Sequence, residues 1–315
     1  MEGYLRVVSR NPFIVVRDHL LADAVDASLP DRPVCHWVLV PQAQVAERIL
    51  DFEAARRQRR PQDTAVYFCT DLRVYRQLMN NPAVQVSWAA LESFVNERMF
   101  DGSTPSIEPE FDAILVTRSV PWKRSELACK VPRLLVVMPH VEIGTASENY
   151  IRELRQLMKD NATFLLDDNK PIPRIELASH LKRARVGLTL SAHEGVNRVC
   201  YEYQLAGLPV VTTASEGGRT QFLDPDTSMT VPAEPDAIAA AVRELCDRKL
   251  DPREVRERVM EKIRAHRQEI IRLGQRIWTQ SGRHHDFARH IYQLTEAKPL
   301  VFRENVDQRL SELNR

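Results

Sequence analysis

Short apolar segments alternate with amphipathic helical segments along most of this chain, and this alternation is what most restricts its fold. The apolar runs PFIVVR (residues 12–17), PVCHWVLV (33–40) and TAVYFC (64–69) are each followed by a segment with helical spacing of its apolar residues. Strands separated by helices pair in parallel, because the crossover helix brings the chain back to the end of the sheet from which the previous strand started. The sequence therefore predicts an α/β fold, with helices on both faces of a parallel sheet.

The alternation is interrupted at residues 99–110. The segment MFDGSTPSIEPE combines Gly, Ser, Thr and two prolines, which is typical of a linker. The alternation restarts with FDAILVTR (111–118). We therefore expect two domains, residues 1–105 and residues 106–280. Residues 281–315 are expected to form C-terminal helices. Whether these helices cross back over the first domain is not decided by the sequence.

Composition excludes several classes of protein. The 44 basic and 43 acidic side chains nearly cancel, which gives no general argument for nucleic acid or an anionic membrane. One basic cluster, ARRQRR (55–60), is interpreted as a solvated helix end, with a phosphate- or membrane-facing patch as the alternative. The five widely spaced cysteines show no metal-ligand pattern, so we expect reduced thiols, a cytoplasmic protein and no metal site. No apolar run approaches the ~20 residues that cross a bilayer, and the first residues lack the apolar core of a signal peptide.

The segment SAHEGVNRVCYE (191–202) carries the clearest indication of chemistry. It follows the apolar run VGLTLS, whose end should lie at the carboxyl edge of the sheet, where such sheets bind ligands. Glu194 stands at that edge, and Gly195 lets a ligand approach the backbone. The amides of Gly195, Val196 and Asn197 are expected to be the first-turn donors of a helix, which suit a phosphate.

A second carboxylate, Glu202, follows Glu194 by eight residues, about two turns or ~12 Å along a helix axis. The two side chains could then accept hydrogen bonds from hydroxyl groups at opposite ends of one extended ligand. A sugar at one end and a ribose at the other fit this spacing. Two solvated glutamates are the alternative, and spacing alone does not separate the two interpretations.

The wider segment SAHEGVNRVCYEYQLAGLPVVTT (191–213) resembles the donor-site signature of retaining GT-B glycosyltransferases, the glycosyl transferases group 1. That signature is a Ser, a Glu-Gly pair, a second Glu and an Ala-Gly-x-Pro-Val-Val run. The matching positions are Ser191, Glu194, Gly195, Glu202, Ala206, Gly207, Pro209, Val210 and Val211. Asn197 stands where the family often has a glycine.

Two further segments resemble the same family. In VTRSVPWKR (116–124), Arg118 and Lys123 keep the five-residue step of the family's Gly-Arg-x-x-x-x-Lys segment, and Thr117 replaces the glycine. SEGGR (215–219) resembles the family's Gly-Gly loop. Before Gly102 the chain has a single glycine, so the glycine-rich loop that usually opens the family's first domain has no counterpart.

This resemblance implies an α/β fold of two Rossmann-like domains (GT-B), the N-terminal one reduced. It implies transfer of a sugar from a nucleoside-diphosphate donor to an acceptor, with retention of configuration. Arg118 and Lys123 would hold the donor diphosphate and act in catalysis together with Glu194. Glu194 would hold sugar hydroxyls and Glu202 the ribose. The donor is a substrate, so no separate cofactor and no metal are expected.

Several alternatives stay open from the sequence. A working transferase is one hypothesis, and a non-catalytic nucleotide-sugar-binding module or subunit is the other. The acceptor could be a glycan, a lipid-linked sugar or a small molecule, and a peripheral contact with a membrane is compatible with each. No nucleic-acid partner is expected, because the sequence shows no basic stripe with interleaved aromatics.

Overall fold

The structure is a computed structural model of the 315-residue chain. It describes residues 2–18, 22–40, 46–101, 108–138, 144–166, 172–301 and 304–313. The chain divides into two compact units: unit 1 comprises Met1–Asn96 and Ile263–Arg315, and unit 2 comprises Glu97–Lys262. The domain limits expected from the sequence, and the reduced size of the first domain, stay predictions.

Unit 1 begins with six strands and three helices. In chain order they are β1 (Glu2–Gly3), β2 (Leu5–Arg10), β3 (Phe13–Asp18), α1 (Ala22–Ser28), β4 (Val34–Val40), α2 (Ala46–Arg59), β5 (Thr64–Cys69), α3 (Leu72–Leu78) and β6 (Gln85–Ser87). Five strands form one sheet in the order β2-β3-β4-β5-β6. The pairs from β3 to β6 are parallel, and β2 pairs with β3 in the antiparallel sense.

Unit 2 contains a second sheet. Its elements are β7 (Phe111–Val116), β8 (Leu134–Met138), α4 (Thr145–Leu157), β9 (Ala162–Leu166), α5 (Arg174–Leu181), β10 (Ala184–Thr189), α6 (Arg198–Leu205), β11 (Val210–Thr213), β12 (Ser228–Val231) and α7 (Pro235–Arg248). The long helix α8 (Pro252–Gln280) follows, and then α9 (Phe287–Ala297), β13 (Glu304–Asn305) and α10 (Val306–Leu313), which belong to unit 1. The predicted α/β class with parallel sheets is confirmed.

The strand order of unit 2 marks where a ligand should bind. All neighbouring strands are parallel, in the order β12-β11-β10-β7-β8-β9. The chain starts at β7, moves outward through β8 and β9, and then returns to β10 on the other side of β7. The connections after β7 and β10 therefore leave in opposite directions, which opens a crevice at the carboxyl ends of these two strands.

Tyr203 fixes helix α6 against this pair of central strands. Its hydroxyl oxygen accepts a hydrogen bond from the Val116 amide of β7 at 2.7 Å and donates one to the Leu188 carbonyl of β10 at 3.3 Å. The ring lies over Gly187, where a Cβ would come within 2.3 Å of it. A glycine in β10 is therefore what allows α6, the helix that carries Glu202, to pack this closely.

The arginines of the basic cluster at 55–60 form ion pairs, and Arg57 and Arg59 are also exposed at the end of the helix. Arg56 is 2% exposed and donates from two nitrogens to the Glu53 carboxylate, each at 2.8 Å. Arg60 donates to Asp63 at 2.6 Å. Buried charges persist when they are paired and hydrogen-bonded. These side chains therefore join α2 to the start of β5, and the expectation of a solvated helix end is wrong for Arg56.

Two further expectations can be compared with the described part of the chain. The five cysteines are free thiols. Within the described residues, none of the helices combines the length and the apolar character that crossing a bilayer requires.

Candidate active site

The proposed donor residues lie in two loops at the carboxyl edge of the unit 2 sheet. Arg118 follows β7 by two residues, and Lys123 ends the short 3-10 helix Pro121–Lys123. Glu194 follows β10 by five residues. Because β7 and β10 are neighbours, both loops leave from the crevice that the strand order creates.

Lys123 and Glu194 form an ion pair across these loops. The Lys123 Nζ lies 2.6 Å from the Glu194 Oε2, and the two side chains are 14% and 16% exposed. The Ser191 hydroxyl donates to the same Oε2 at 2.6 Å. Two donors on one oxygen fix the orientation of the carboxylate. The structure therefore brings together a cation and an anion that the sequence separates by 71 positions.

Lys123 is influenced by two arginines as well as by the Glu194 carboxylate. Burial lowers the pKa of Lys123, the carboxylate of Glu194 opposes this shift, and the charges of Arg118 and Arg219 lower the pKa further. The two arginines are thus close enough to disfavour the charge of Lys123. An anionic ligand at this position would relieve that repulsion, which is the electrostatic character expected of a diphosphate site.

Arg219 is buried against Ser191, and no sequence motif assigned it a role. It is 1% exposed, and its NH1 nitrogen donates to the carbonyl and the hydroxyl of Ser191, at 3.3 and 3.2 Å. Its NH2 nitrogen donates to the Thr213 carbonyl at 2.6 Å. Arg219 thereby holds the hydroxyl that orients Glu194. The only signal in the sequence was its place at the end of SEGGR.

The glycine loop after β11 lies directly against the Glu194 backbone. The Glu194 amide donates to the Glu216 carbonyl at 2.8 Å, and the Glu216 amide donates to the Ala192 carbonyl at 2.9 Å. Gly217 has a φ of +114°, and a Cβ there would lie 1.6 Å from the Glu194 carbonyl oxygen. This position therefore requires glycine for its backbone conformation and for the close approach.

Helix α6 begins later than expected. Its first residue is Arg198, and Asn197 is the N-cap, with φ −76° and ψ 100°. An extended backbone at the N-cap is usual for Asn. The expectation that the amides of Gly195, Val196 and Asn197 form the first helical turn is therefore wrong, because these residues precede the helix.

The later start of α6 also changes the relation between the two glutamates. Only the step from Arg198 to Glu202 is helical, which is about 6 Å of axial rise. Glu194 lies in the preceding loop. The two carboxylates are therefore not two turns apart on one helix, and the ~12 Å spacing drawn from the sequence does not apply to them.

Glu202 is buried beneath an arginine. Glu202 is 1% exposed, and its two oxygens lie 2.8 and 2.7 Å from NH1 and NH2 of Arg174, the first residue of α5. Burial raises the pKa of Glu202, and the charges of Arg174 and Arg198 oppose that shift. No motif singles out Arg174, because a pair formed across 28 positions depends on tertiary packing.

Trp122 adds an exposed aromatic ring to this site. It is 42% exposed, and the Lys123 Nζ lies 4.6 Å from the ring centroid, within the range of a cation–π contact. Its carbonyl accepts a hydrogen bond from the Ala192 amide at 3.0 Å, which ties the β7 loop to the β10 loop. Trp122 lies within the VTRSVPWKR segment, and the motif assigns it no role.

Two neighbouring positions have simple structural explanations. His193 is about half exposed, and its Nδ1 lies 3.2 Å from a carboxylate oxygen of Glu216. Thr117, at the position of the family's glycine, is buried, and its hydroxyl lies 2.8 Å from that of Ser125. Within the residues that the structure describes, no three His, Cys, Asp or Glu side chains are grouped so as to hold a metal ion.

Comparison with known proteins gives a family match that covers Glu194, Glu202 and Arg219, whereas Arg118 and Lys123 precede it. Residues 127–248 match the family model described as Glycosyl transferases group 1. A D-inositol 3-phosphate glycosyltransferase from Kineococcus radiotolerans is 33% identical over 140 residues. That alignment covers 41% of this chain and 30% of the relative, so the chain spans about a third of the length of this curated protein.

Solved structures share the fold. A sucrose-phosphate synthase from Thermosynechococcus elongatus superposes with a TM-score of 0.57 at 19% identity, over 78% of this chain and 68% of that one. A glycosyltransferase from Rickettsia africae gives 0.57 at 13% identity, over 78% and 76%. A lipopolysaccharide outer core galactosyltransferase gives 0.56 at 13% identity, over 83% and 79%. The chain thus has the two Rossmann-like units of the GT-B architecture.

Replacing Gly217 by alanine tests the close approach to Glu194. We expect Gly217→Ala to lower the free energy of unfolding by more than the ~1–3 kcal/mol of backbone strain, because the Cβ also overlaps the Glu194 carbonyl. Gly144→Ala is the matched control, since Gly144 has a φ of +131° with nothing within 4 Å of its Cβ position. Urea denaturation measures both. Equal losses in the two variants would contradict the close approach.

Replacing Glu202 by glutamine tests the cost of its burial. Because the folded-state pKa is raised above 4.5, the stabilising contribution of the protonated form is present below that pH and is lost as pH rises through the folded pKa. Glu202→Gln does not titrate, so we expect its stability relative to the parent to increase as pH rises above 4.5. Urea denaturation from pH 4.5 to 8 measures this, with exposed Glu153→Gln on α4 as control. Parallel curves for parent and Glu202→Gln would refute it.

Proposed function

We propose that this chain is a glycosyltransferase that transfers a sugar, of hexose type, from a nucleoside-diphosphate donor to an acceptor with retention of configuration. The ion pair of Lys123 and Glu194 at the switch point of the unit 2 sheet supports the proposal most directly. In open parallel sheets, ligands bind in the crevice at the carboxyl ends of the central strands, and this ion pair lies there. An ion pair with a purely structural role is not restricted to that position. The family match over residues 127–248 includes Glu194 and its neighbours.

Arg118 and Lys123 are the proposed diphosphate ligands. Both side chains leave from the loop after β7, and the pKa of Lys123 responds to the charge of Arg118. The bond to the leaving nucleoside diphosphate breaks during transfer, so negative charge builds on its phosphate oxygens. Cations held in place beforehand stabilise that charge without reorganising. These two residues therefore act in binding and in catalysis.

Glu194 and Glu202 are the proposed hydroxyl acceptors. Glu194 is oriented by Ser191 and Lys123, which leaves its carboxylate in a defined position for the hydroxyls of a donor sugar. Glu202 would accept from the ribose. Its oxygens are held by Arg174 in this structure, so a ribose diol must share or replace those hydrogen bonds. The backbone of Gly195, Val196 and Asn197 lies between the two carboxylates and contributes to the same donor site.

The chemistry needs no strong protein nucleophile. The departing phosphate takes the proton of the acceptor hydroxyl as the new glycosidic bond forms on the same face. The side-chain cations take the part that a metal ion has in other transferases. The acceptor, a glycan, a lipid-linked sugar or a small molecule, stays a prediction, as do the cytoplasmic location and the peripheral membrane contact.

Binding of donor nucleotides tests the site directly. We expect one nucleotide sugar from a panel of uridine, guanosine, adenosine and thymidine diphosphate sugars to raise the melting temperature of the parent. A ligand at a hundredfold excess over its Kd stabilises by about 2.7 kcal/mol. Lys123→Ala should lose this shift, because the variant lacks the proposed phosphate cation. Lys130→Ala, which removes a surface lysine paired with Asp236, should keep it. No shift in the parent with any donor would refute the donor site.

Transfer is tested separately from binding. The donor that binds is incubated with pools of glycans, polyprenyl phosphates and sugar alcohols, and release of the nucleoside diphosphate is measured. We expect release with at least one pool and a reduction of at least a hundredfold in Lys123→Ala. Binding without release in every pool would favour the alternative, a nucleotide-sugar-binding module that does not catalyse.

Tryptophan fluorescence offers an independent measure of the same site. Trp122 is exposed beside Lys123, whereas Trp37 and Trp278 are buried in unit 1. We expect the bound donor to change the emission of the parent, because it enters the surroundings of the Trp122 ring. Trp122→Phe should lose most of that change, and Trp88→Phe, in unit 1, should keep it. An unaltered response in Trp122→Phe would show that the donor binds elsewhere.

A further inference from the structure

Unit 1 contains a cavity at the edge strand β2. The cavity has a volume of about 690 Å³ and lies between β2, α9 and α10. We call it the basic cavity, because six of its lining residues are basic: Arg6, Arg10, Arg283, His290, Lys298 and Arg309. None of the lining residues within the described part of the chain is acidic. A concave surface lined by one sign of charge concentrates the field and attracts the opposite charge.

The wall of the basic cavity is fixed by hydrogen bonds between β2 and α9. Arg6 on β2 donates from NH2 to the Leu294 carbonyl at 2.7 Å and from NH1 to the Lys298 carbonyl at 3.0 Å, and also to Pro299. Arg6 thus caps the carboxyl end of α9. On the same helix, His290 Nε2 lies 2.6 Å from the Val8 carbonyl of β2. The cavity therefore has a preformed shape, which lowers the cost of binding a ligand.

The Arg283 guanidinium lies over the aromatic ring of Trp278. Its guanidinium lies 4.8 Å from the ring centroid of Trp278, which is 3% exposed. A guanidinium stacked on a ring is held through its face, whereas its N–H groups point outward in its plane. Arg10, Lys298 and Arg309 interact within the protein as well.

We propose that the basic cavity binds a small phosphorylated ligand, with Arg10 and Arg283 as its main phosphate contacts. The volume is in the range of small-molecule sites, roughly 300 to 1,000 Å³. Arginine matches phosphate oxygens with paired N–H donors. The cavity residues all belong to unit 1, whereas the proposed donor residues belong to unit 2, so this is a binding site additional to the donor site. The phosphate could be carried by a soluble molecule or by a lipid headgroup.

Titration with inorganic pyrophosphate tests the proposal. The Lys123→Ala protein is used, so that the proposed donor cation does not contribute, and heat is measured by calorimetry at low ionic strength. We expect saturable binding of pyrophosphate. Adding the double substitution Arg10→Gln and Arg283→Gln should weaken this binding at least tenfold. The matched control is Arg289→Gln, an exposed arginine of α9 outside the cavity lining, and it should weaken binding less than twofold. Circular dichroism verifies that each variant is folded.

A second arm separates the two sources of phosphate. The same proteins are sedimented with vesicles of phosphatidylglycerol in phosphatidylcholine. If pyrophosphate binding depends on Arg10 and Arg283, the result supports a soluble ligand. If only vesicle binding depends on these two residues, the result supports a lipid headgroup. The proposal is overturned if neither probe binds, or if Arg289→Gln weakens binding as much as the cavity variant. These outcomes do not depend on whether the donor site in unit 2 is correct.

Discussion

The ion pair between Lys123 and Glu194 is the contact on which the candidate site depends. It joins the loops after β7 and β10, which are the two loops that leave the sheet of unit 2 in opposite directions. Behind it, Arg219 holds Ser191, and Gly217 lets the next loop pack against the Glu194 backbone. The pair is therefore one charged contact supported by three loops, and its geometry depends on the neighbouring groups that hold Ser191 and the Glu194 backbone.

Both units contain an ion pair whose carboxylate is buried. Glu202 in α6 is covered by Arg174, and Glu53 in α2 is held by Arg56. A buried pair seldom adds much stability relative to apolar side chains of similar size, although removing one partner is costly. In unit 1 the pairs join α2 to its sheet. In unit 2, burial raises the pKa of Glu202, and the charge of Arg174 opposes that shift.

Much of the fold could be predicted from the sequence, because buried parallel strands are continuous apolar runs. The runs at 33–40 and 111–118 correspond to β4 and β7, with boundaries within two residues. The start of α6 was predicted wrongly. Asn197 has an extended backbone and is the N-cap, so the helix begins at Arg198, and the spacing of apolar residues does not show where a cap lies. The hydrogen bonds of Arg56 were missed because a run of basic residues gives no sign of its partners.

The sequence by itself determined the α/β class and the residue types at the site, because the spacing of apolar and glycine residues is local information. It also singled out Lys123 and Glu194 as a cation and a carboxylate beside strand ends. Only the tertiary structure decided that these two meet, that Arg174 covers Glu202, and that the basic side chains of β2 and α9 share a cavity. The physical reason is that each of these contacts joins residues far apart in the chain, and their distance is set by strand order and packing.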